Sequence, residues 1–148
     1  MKKQLIVTLA YIFNSSEAIT SCKKYEEGGT VKKADKIIVK EWARERAYKD
    51  GSPVEEVQEN PQIGEVTENM IFNDNGNYKS ENGTVALSGT WSLENKNKQL
   101  KIVISSPNDK ASTYTYDIIK LTDGSDGELI FEHTLDGKLY RYECRSSK

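Results

Sequence analysis

The sequence predicts an all-β domain in which eight antiparallel strands run up and down and close into a barrel. Three observations predict it. Short apolar runs alternate with polar residues at a period of two, turn-forming residues separate the runs at regular spacing, and no convincing helical stretch stands between them. A meander of this kind avoids exposed sheet edges most simply by closing on itself.

The elements follow in order. Residues 37–48, rich in Ile, Val, Trp and Tyr, form the first expected strand, although 42–47 reads equally well as a short helix. Lys49-Asp50-Gly51-Ser52-Pro53 is a turn, and the acidic segment to Pro61 spaces Val54 and Val57 as a short helix would. Residues 64–72 read as a strand with Val66, Met70 and Phe72 on one face, and Asn73-Asp74-Asn75-Gly76 turns it back into residues 77–80. Asn82-Gly83 turns again; although Asn82-Gly83-Thr84 matches a glycosylation sequon, the Asn-Gly pair is a hairpin signal. In residues 85–93, Val85, Leu87, Gly89, Trp91 and Leu93 share one face and Ala86, Ser88, Thr90 and Ser92 the other, the clearest alternation in the chain. Asn95-Lys96-Asn97, Pro107-Asn108-Asp109, the glycine-containing loop 123–127 and Asp136-Gly137 then separate strands expected at 100–105, 112–121, 128–134 and 138–145.

Length and composition limit the function. A chain of 148 residues is of single-domain size and can bury one core without staples. Its 21 basic and 23 acidic side chains are nearly balanced, so no electrostatic footprint for nucleic acid is present. One histidine, His133, and two cysteines, Cys22 and Cys144, offer neither a metal-ligand spacing nor a disulfide framework, and no cofactor is expected.

The amino terminus is an address. Lys2 and Lys3 precede an apolar run over residues 5–13, interrupted only by Thr8, which is too short to span a bilayer and has the pattern of a cleaved export signal. Ile19-Thr20-Ser21-Cys22 resembles the lipobox of bacterial lipoproteins, which implies a signal peptide over 1–21, cleavage before Cys22 and a diacylglyceryl thioether on its sulfur. The alternative is cleavage after Ala18, which would leave Cys22 free to pair with Cys144. Cleavage before Cys22 leaves 19 basic and 22 acidic side chains on the mature chain. Lys23-Lys24-Tyr25-Glu26-Glu27 resembles the charged segment that directs some Bacteroidetes-type lipoproteins to the outer face of the outer membrane. Residues 22–35, with Gly28-Gly29 and little apolar content, are expected as a flexible tether, and residues 36–148 as the barrel domain.

Lys40-Glu41-Trp42, Phe72-Asn73-Asp74-Asn75-Gly76-Asn77-Tyr78, Gly89-Thr90-Trp91-Ser92-Leu93 and Tyr116-Asp117-Ile118-Ile119-Lys120-Leu121 together resemble the lipocalin-like domains of small Bacteroidetes lipoproteins. The resemblance covers roughly residues 36–145 and implies a calycin-type barrel. Lys40 stands where such first strands often carry glycine two residues before the tryptophan. No functional residue is carried over from the family.

Candidate ligand-binding residues come from strand alternation. Trp42 shares a face with Arg44 and Arg46; if Trp42 points inward both arginines follow and suit an anionic head group or a rim salt bridge, unless a bulge or the strand end resets the phase and leaves both solvated. Tyr114 and Tyr116 share a face, as do Tyr140 and Tyr142, so two strands present aromatic walls with hydroxyl tips that either line a pocket or plug the barrel. Trp91 and Phe131 complete the set, with His133 on the Phe131 face as a structural residue and Cys144 as a small buried one. The loop 123–128 has the oxygen density but not the spacing of a calcium site. Glu41, Glu68 and Glu132 are carboxylates that folding could assemble, but no nucleophile-base pair is readable. The expected activity is therefore non-catalytic binding of a small apolar or amphipathic molecule by a monomeric, membrane-anchored protein of the cell envelope; the alternative is an interaction module with a side-chain-filled barrel.

Overall fold

The computed structural model describes residues 23–54, 69–82, 85–105 and 111–147, with the side chains of Asn82 and Val85 excepted. Expectations for the leader, for Cys22 and for the segments 55–68, 83–84 and 106–110 lie outside the described residues. A single helical turn, α1 (Ala34–Ile37), precedes β1 (Glu41–Lys49), β2 (Ser52–Pro53), β3 (Asn69–Phe72), β4 (Asn77–Asn82), β5 (Val85–Glu94), β6 (Gln99–Ser105), β7 (Ser112–Leu121), β8 (Glu128–Leu135) and β9 (Lys138–Ser146). Each strand from β3 to β9 pairs antiparallel with the next, β1 pairs with β3, and β9 returns to β1, so eight strands close an up-and-down barrel with the two-residue β2 as an appendage of β1.

The expected strand boundaries agree with the structure to within one or two residues over β4–β9, because strict alternation flanked by turn residues leaves little choice. The first strand is shorter than expected: residues 34–37 turn as helix, with Ile38 N–H bonded to Ala34 O, and extended structure begins at Glu41. The turn at 73–76 closes through Gly76 N–H to Asn73 O, with Gly76 at φ 87°. Gly89 is required by close approach, since a Cβ there would lie 1.8 Å from the Val103 carbonyl oxygen where β5 and β6 curl together.

The flexible tether expected over 22–35 is overturned for the described residues 23–35. Tyr25, Val31 and Ala34, followed by Ile37 and Ile38, belong to the main hydrophobic core. Glu27 N–H donates to Ile119 O, Gly29 bridges Leu121 in parallel, and Tyr25 Oη donates to Asn97 O at 2.7 Å. A few apolar residues suffice here because the barrel presents its open end to them, whereas composition alone weighs the segment as if it stood by itself. Residues 23–38 thus cap the end of the barrel at which β1, β4, β6 and β8 begin.

Candidate functional site

The inner wall is set by register. Trp42, opposite Ser146 on β9 and Met70 on β3, points inward and is fully buried, its Nε1 donating to Ile38 O at 3.0 Å. Lys40 does not line the interior: its Nζ sits 5.3 Å above the Trp42 ring and 3.1 Å from Asp123 Oδ1, so the indole is capped by a cation. A bulge between Arg44 and Arg46 resets the phase of β1. Arg44 stands opposite the inward Cys144, while Arg46 stands opposite Glu143 and is exposed, so the phase-resetting bulge that the sequence left open is present, but it separates the two arginines and leaves only Arg46 solvated. Only Arg44 keeps the inner register, half-buried.

The aromatic residues predicted on β7, β8 and β9 meet inside the barrel. Tyr116 packs edge-on against Phe131 with ring centroids 4.9 Å apart, and Tyr142 lies 5.3 Å from Phe131. Tyr116, Phe131 and Tyr142 are each no more than 1% exposed. His133 joins the cluster, 4.8 Å from Tyr116 and 5.4 Å from Tyr140 between centroids, with its Nε2 3.4 Å from Tyr142 Oη. Burial pushes the imidazole pKa down, so the ring favours its neutral form. Cys144, also inward and buried, has its thiol pKa pushed up strongly by burial, which removes thiolate character.

Exposure of the inward residues changes along the barrel axis. Next to the cap, Trp42, Phe72, Leu100, Leu121 and Leu129 are sealed. Toward the opposite end, which we call the mouth, the inward Leu87, Tyr114, His133 and Leu135 are only half-buried. Lys49 closes the β1 side, its Nζ 6.0 Å above the Tyr140 ring. Leu93 near the cap, half-buried, and Ile104 and Tyr140 toward the mouth, buried, depart from this trend, and so does Trp91. It is half-buried beside the capped end, edge-on to Phe72 at 5.7 Å, and its Nε1 donates to Asn73 O at 2.8 Å, so it ties the β3–β4 turn to β5.

Of the sequence-derived candidates, Tyr116, Phe131, Tyr140 and Tyr142 are brought together with His133, while Trp42 and Trp91 lie toward the capped end and Arg44 lies on the β1 wall. Leu87 and Leu135 at the mouth were not singled out by sequence reasoning. The signal was available, because each falls in the alternation of a strand that carries an inward aromatic, Trp91 on β5 and Phe131 on β8. An open groove of about 380 Å³ follows the β1 bulge from Arg44 to Tyr48 and includes Pro53 and Val54. A smaller one of about 190 Å³ is lined by Tyr48, Gly51, Glu132, Leu139 and Arg141.

The carboxylates are placed apart in role. Glu41 opens β1, Glu132 lies on β8 with its carboxyl pKa raised mainly by burial, and Glu68 is outside the described residues. Among the described residues no group of three or more His, Cys, Asp or Glu side chains could hold a metal ion. In the loop 123–128, Asp123 Oδ1 is taken by Gly124 N–H and Lys40. No helix among the described residues is long and apolar enough to cross a membrane. Comparison with protein-family models, curated proteins and solved structures finds no match to this chain.

Proposed function

We propose that the protein is an exported, lipid-anchored member of the lipocalin-like class that holds a small amphipathic molecule at the mouth of its barrel and does not transform it. The observation that carries this reading is the set of inward side chains left half-buried at the mouth, Leu87, Tyr114, His133 and Leu135, beyond the sealed Trp42, Phe72, Leu100, Leu121 and Leu129. Apolar surface left accessible on a concave wall, edged by phenol, imidazole and ammonium groups, suits a ligand with an apolar body and a polar end. The sealed lower barrel favours a shallow seat over a deep one.

The test uses a hydrophobic fluorescent probe and the native protein together. Anilinonaphthalene sulfonate should bind saturably, and Leu135→Arg together with Tyr114→Ala should abolish binding without lowering the unfolding midpoint by more than a few degrees. Organic extraction of the purified protein followed by mass spectrometry should release a stoichiometric small molecule. An empty extract combined with no saturable probe binding would reject the carrier. The second reading, a filled barrel whose outer surface serves as an interaction module, would then stand. The mutual packing of Tyr116, Phe131 and Tyr142 in the interior favours it.

A further inference from the structure

The cap is lysine-rich as well as ordered. Val31 N–H donates to Lys23 O, Lys24 bridges Thr30, and Asn97 Nδ2 donates to Val31 O, so three pieces of chain meet at one junction. Lys23 and Lys24, Lys32 and Lys33, and Lys96 and Lys98 flank it. Five of these are exposed and Lys98 is half-buried, and among the described residues none is ion-paired, in contrast to Lys40 and Lys120. The acidic side chains nearest in the chain are Glu26, Asp35 and Glu94, and Asp117 stands beside Lys98 across the sheet, where it accepts from Gln99 Nε2; Glu27 is drawn away by Arg141. The balance at the junction is therefore positive on a protein whose overall charge is negative.

We propose that this lysine cluster is a docking surface for an anionic lipid bilayer, holding the capped end of the barrel against the membrane and turning the mouth away from it. The inference rests on the lipid-anchor reading of Cys22. Cys22 directly precedes Lys23 in the chain. Because the Lys23 carbonyl is already hydrogen-bonded to Val31 N–H in the cap, an anchor at Cys22 leaves almost no free chain between membrane and barrel. The surface that meets the headgroups is then the one carrying the six lysines. A single lipid attachment gains residence from a neighbouring basic patch, because lysines near an anionic surface add electrostatic attraction to the hydrophobic term.

The experiment places a fluorophore at either end of the anchored protein. Ser125→Cys labels an exposed turn at the capped end and Thr134→Cys an exposed position near the mouth. Cys144 is buried and does not compete, and the thioether occupies Cys22. The labelled proteins are bound to vesicles of phosphatidylcholine, with or without phosphatidylglycerol, that carry a headgroup quencher. Retention on the neutral vesicles reports the anchor, and its loss would overturn the lipidation reading alone. On the anionic vesicles the Ser125→Cys label should be quenched at least threefold more strongly than the Thr134→Cys label. That contrast should vanish in about 1 M salt, where the Debye length is about 3 Å, and in the variant Lys32→Glu, Lys33→Glu, Lys96→Glu, Lys98→Glu. Equal quenching at the two positions, or a contrast that survives charge reversal, would overturn the docking surface. If the protein is not anchored, sedimentation with anionic against neutral vesicles decides the same question, and equal sedimentation overturns it.

Discussion

Asn95, Lys96 and Asn97 all adopt positive φ, at 50°, 54° and 65°, in the turn between β5 and β6. Asparagine tolerates that region, but a lysine there brings Cβ against its own carbonyl. Lys96→Gly should therefore raise stability by about 0.5–1 kcal/mol, the relief of strain exceeding the entropy that glycine adds to the unfolded chain. Urea unfolding checks it, and a loss of stability would contradict the strain. Gly89 answers in the opposite direction. Gly89→Ala places a methyl group into the Val103 backbone, and since backbone cannot swing aside as a side chain does, a loss of about 3 kcal/mol or more is expected in the same measurement. Neither position announced itself equally in the sequence. Gly89 lies at an inward position in an otherwise regular strand, which marks close approach, whereas the handedness of Lys96 depends on how the β5–β6 turn is wound.

The decisive element is the segment before β1. It is tied to the outer face of β9 by Arg141, whose guanidinium grips both oxygens of Glu27 while its Nε bonds Glu143 at 2.9 Å. Those bonds hold the Glu27 carboxyl below the usual carboxylate range. A carboxylate with a depressed folded pKa adds stability that is present above its unfolded value of about 4.3 and is lost as pH falls through the folded one. Glu132, 3.8 Å from Arg141, is shifted upward by burial and accepts its proton earlier, so it offsets part of that loss. Hydrogen-exchange protection of the Glu27 and Val31 amides should thus fall below about pH 4 before that of Ile102 in β6, and Glu27→Gln should flatten the difference. Uniform loss across all three amides would instead indicate global unfolding. This segment is also where sequence and structure part company. Its few apolar residues, Tyr25, Val31, Ala34 and Ile37, look insufficient when weighed locally. They become core because a barrel end supplies the other half of the contact.

For the whole molecule, closure and its eight strands were legible because every strand from β4 to β9 carries its own alternation and its own turn. The interior was legible only in part. Alternation put Trp42, Tyr116, Phe131, Tyr140 and Tyr142 inside, but a bulge has no reliable sequence mark, and the one at Arg44/Arg46 decides which arginine faces in. Two predictions belong at this scale. A chain begun at Lys36, where sequence alone starts the domain, should lose cooperative urea unfolding and bind hydrophobic dye through the exposed barrel end, whereas unchanged unfolding would make the cap dispensable. Burial of His133 makes the folded state the poorer proton acceptor. The fold should therefore lose stability as pH falls below about 6.5, and the loss should be absent in His133→Gln when thermal midpoints are compared between about pH 7.5 and 5.5.

The seam between β1 and β9 has a consequence in time. It joins residues as far apart as Trp42 and Ser146, and among the described residues β9 is the longest partner of β1. A ribosome or a translocon delivers β1 first and β9 last, so the barrel cannot shut while synthesis or passage is under way. Until β9 arrives, the inward aromatic residues of β7 and β8 remain open to other molecules, and the period before closure is the chain's greatest exposure to aggregation. A ligand or chaperone with affinity for that wall would meet it most readily then. Slowing the arrival of β9, by pausing synthesis within residues 122–127, should increase insoluble product more than an equal pause within residues 95–98, with the insoluble fraction as the measure.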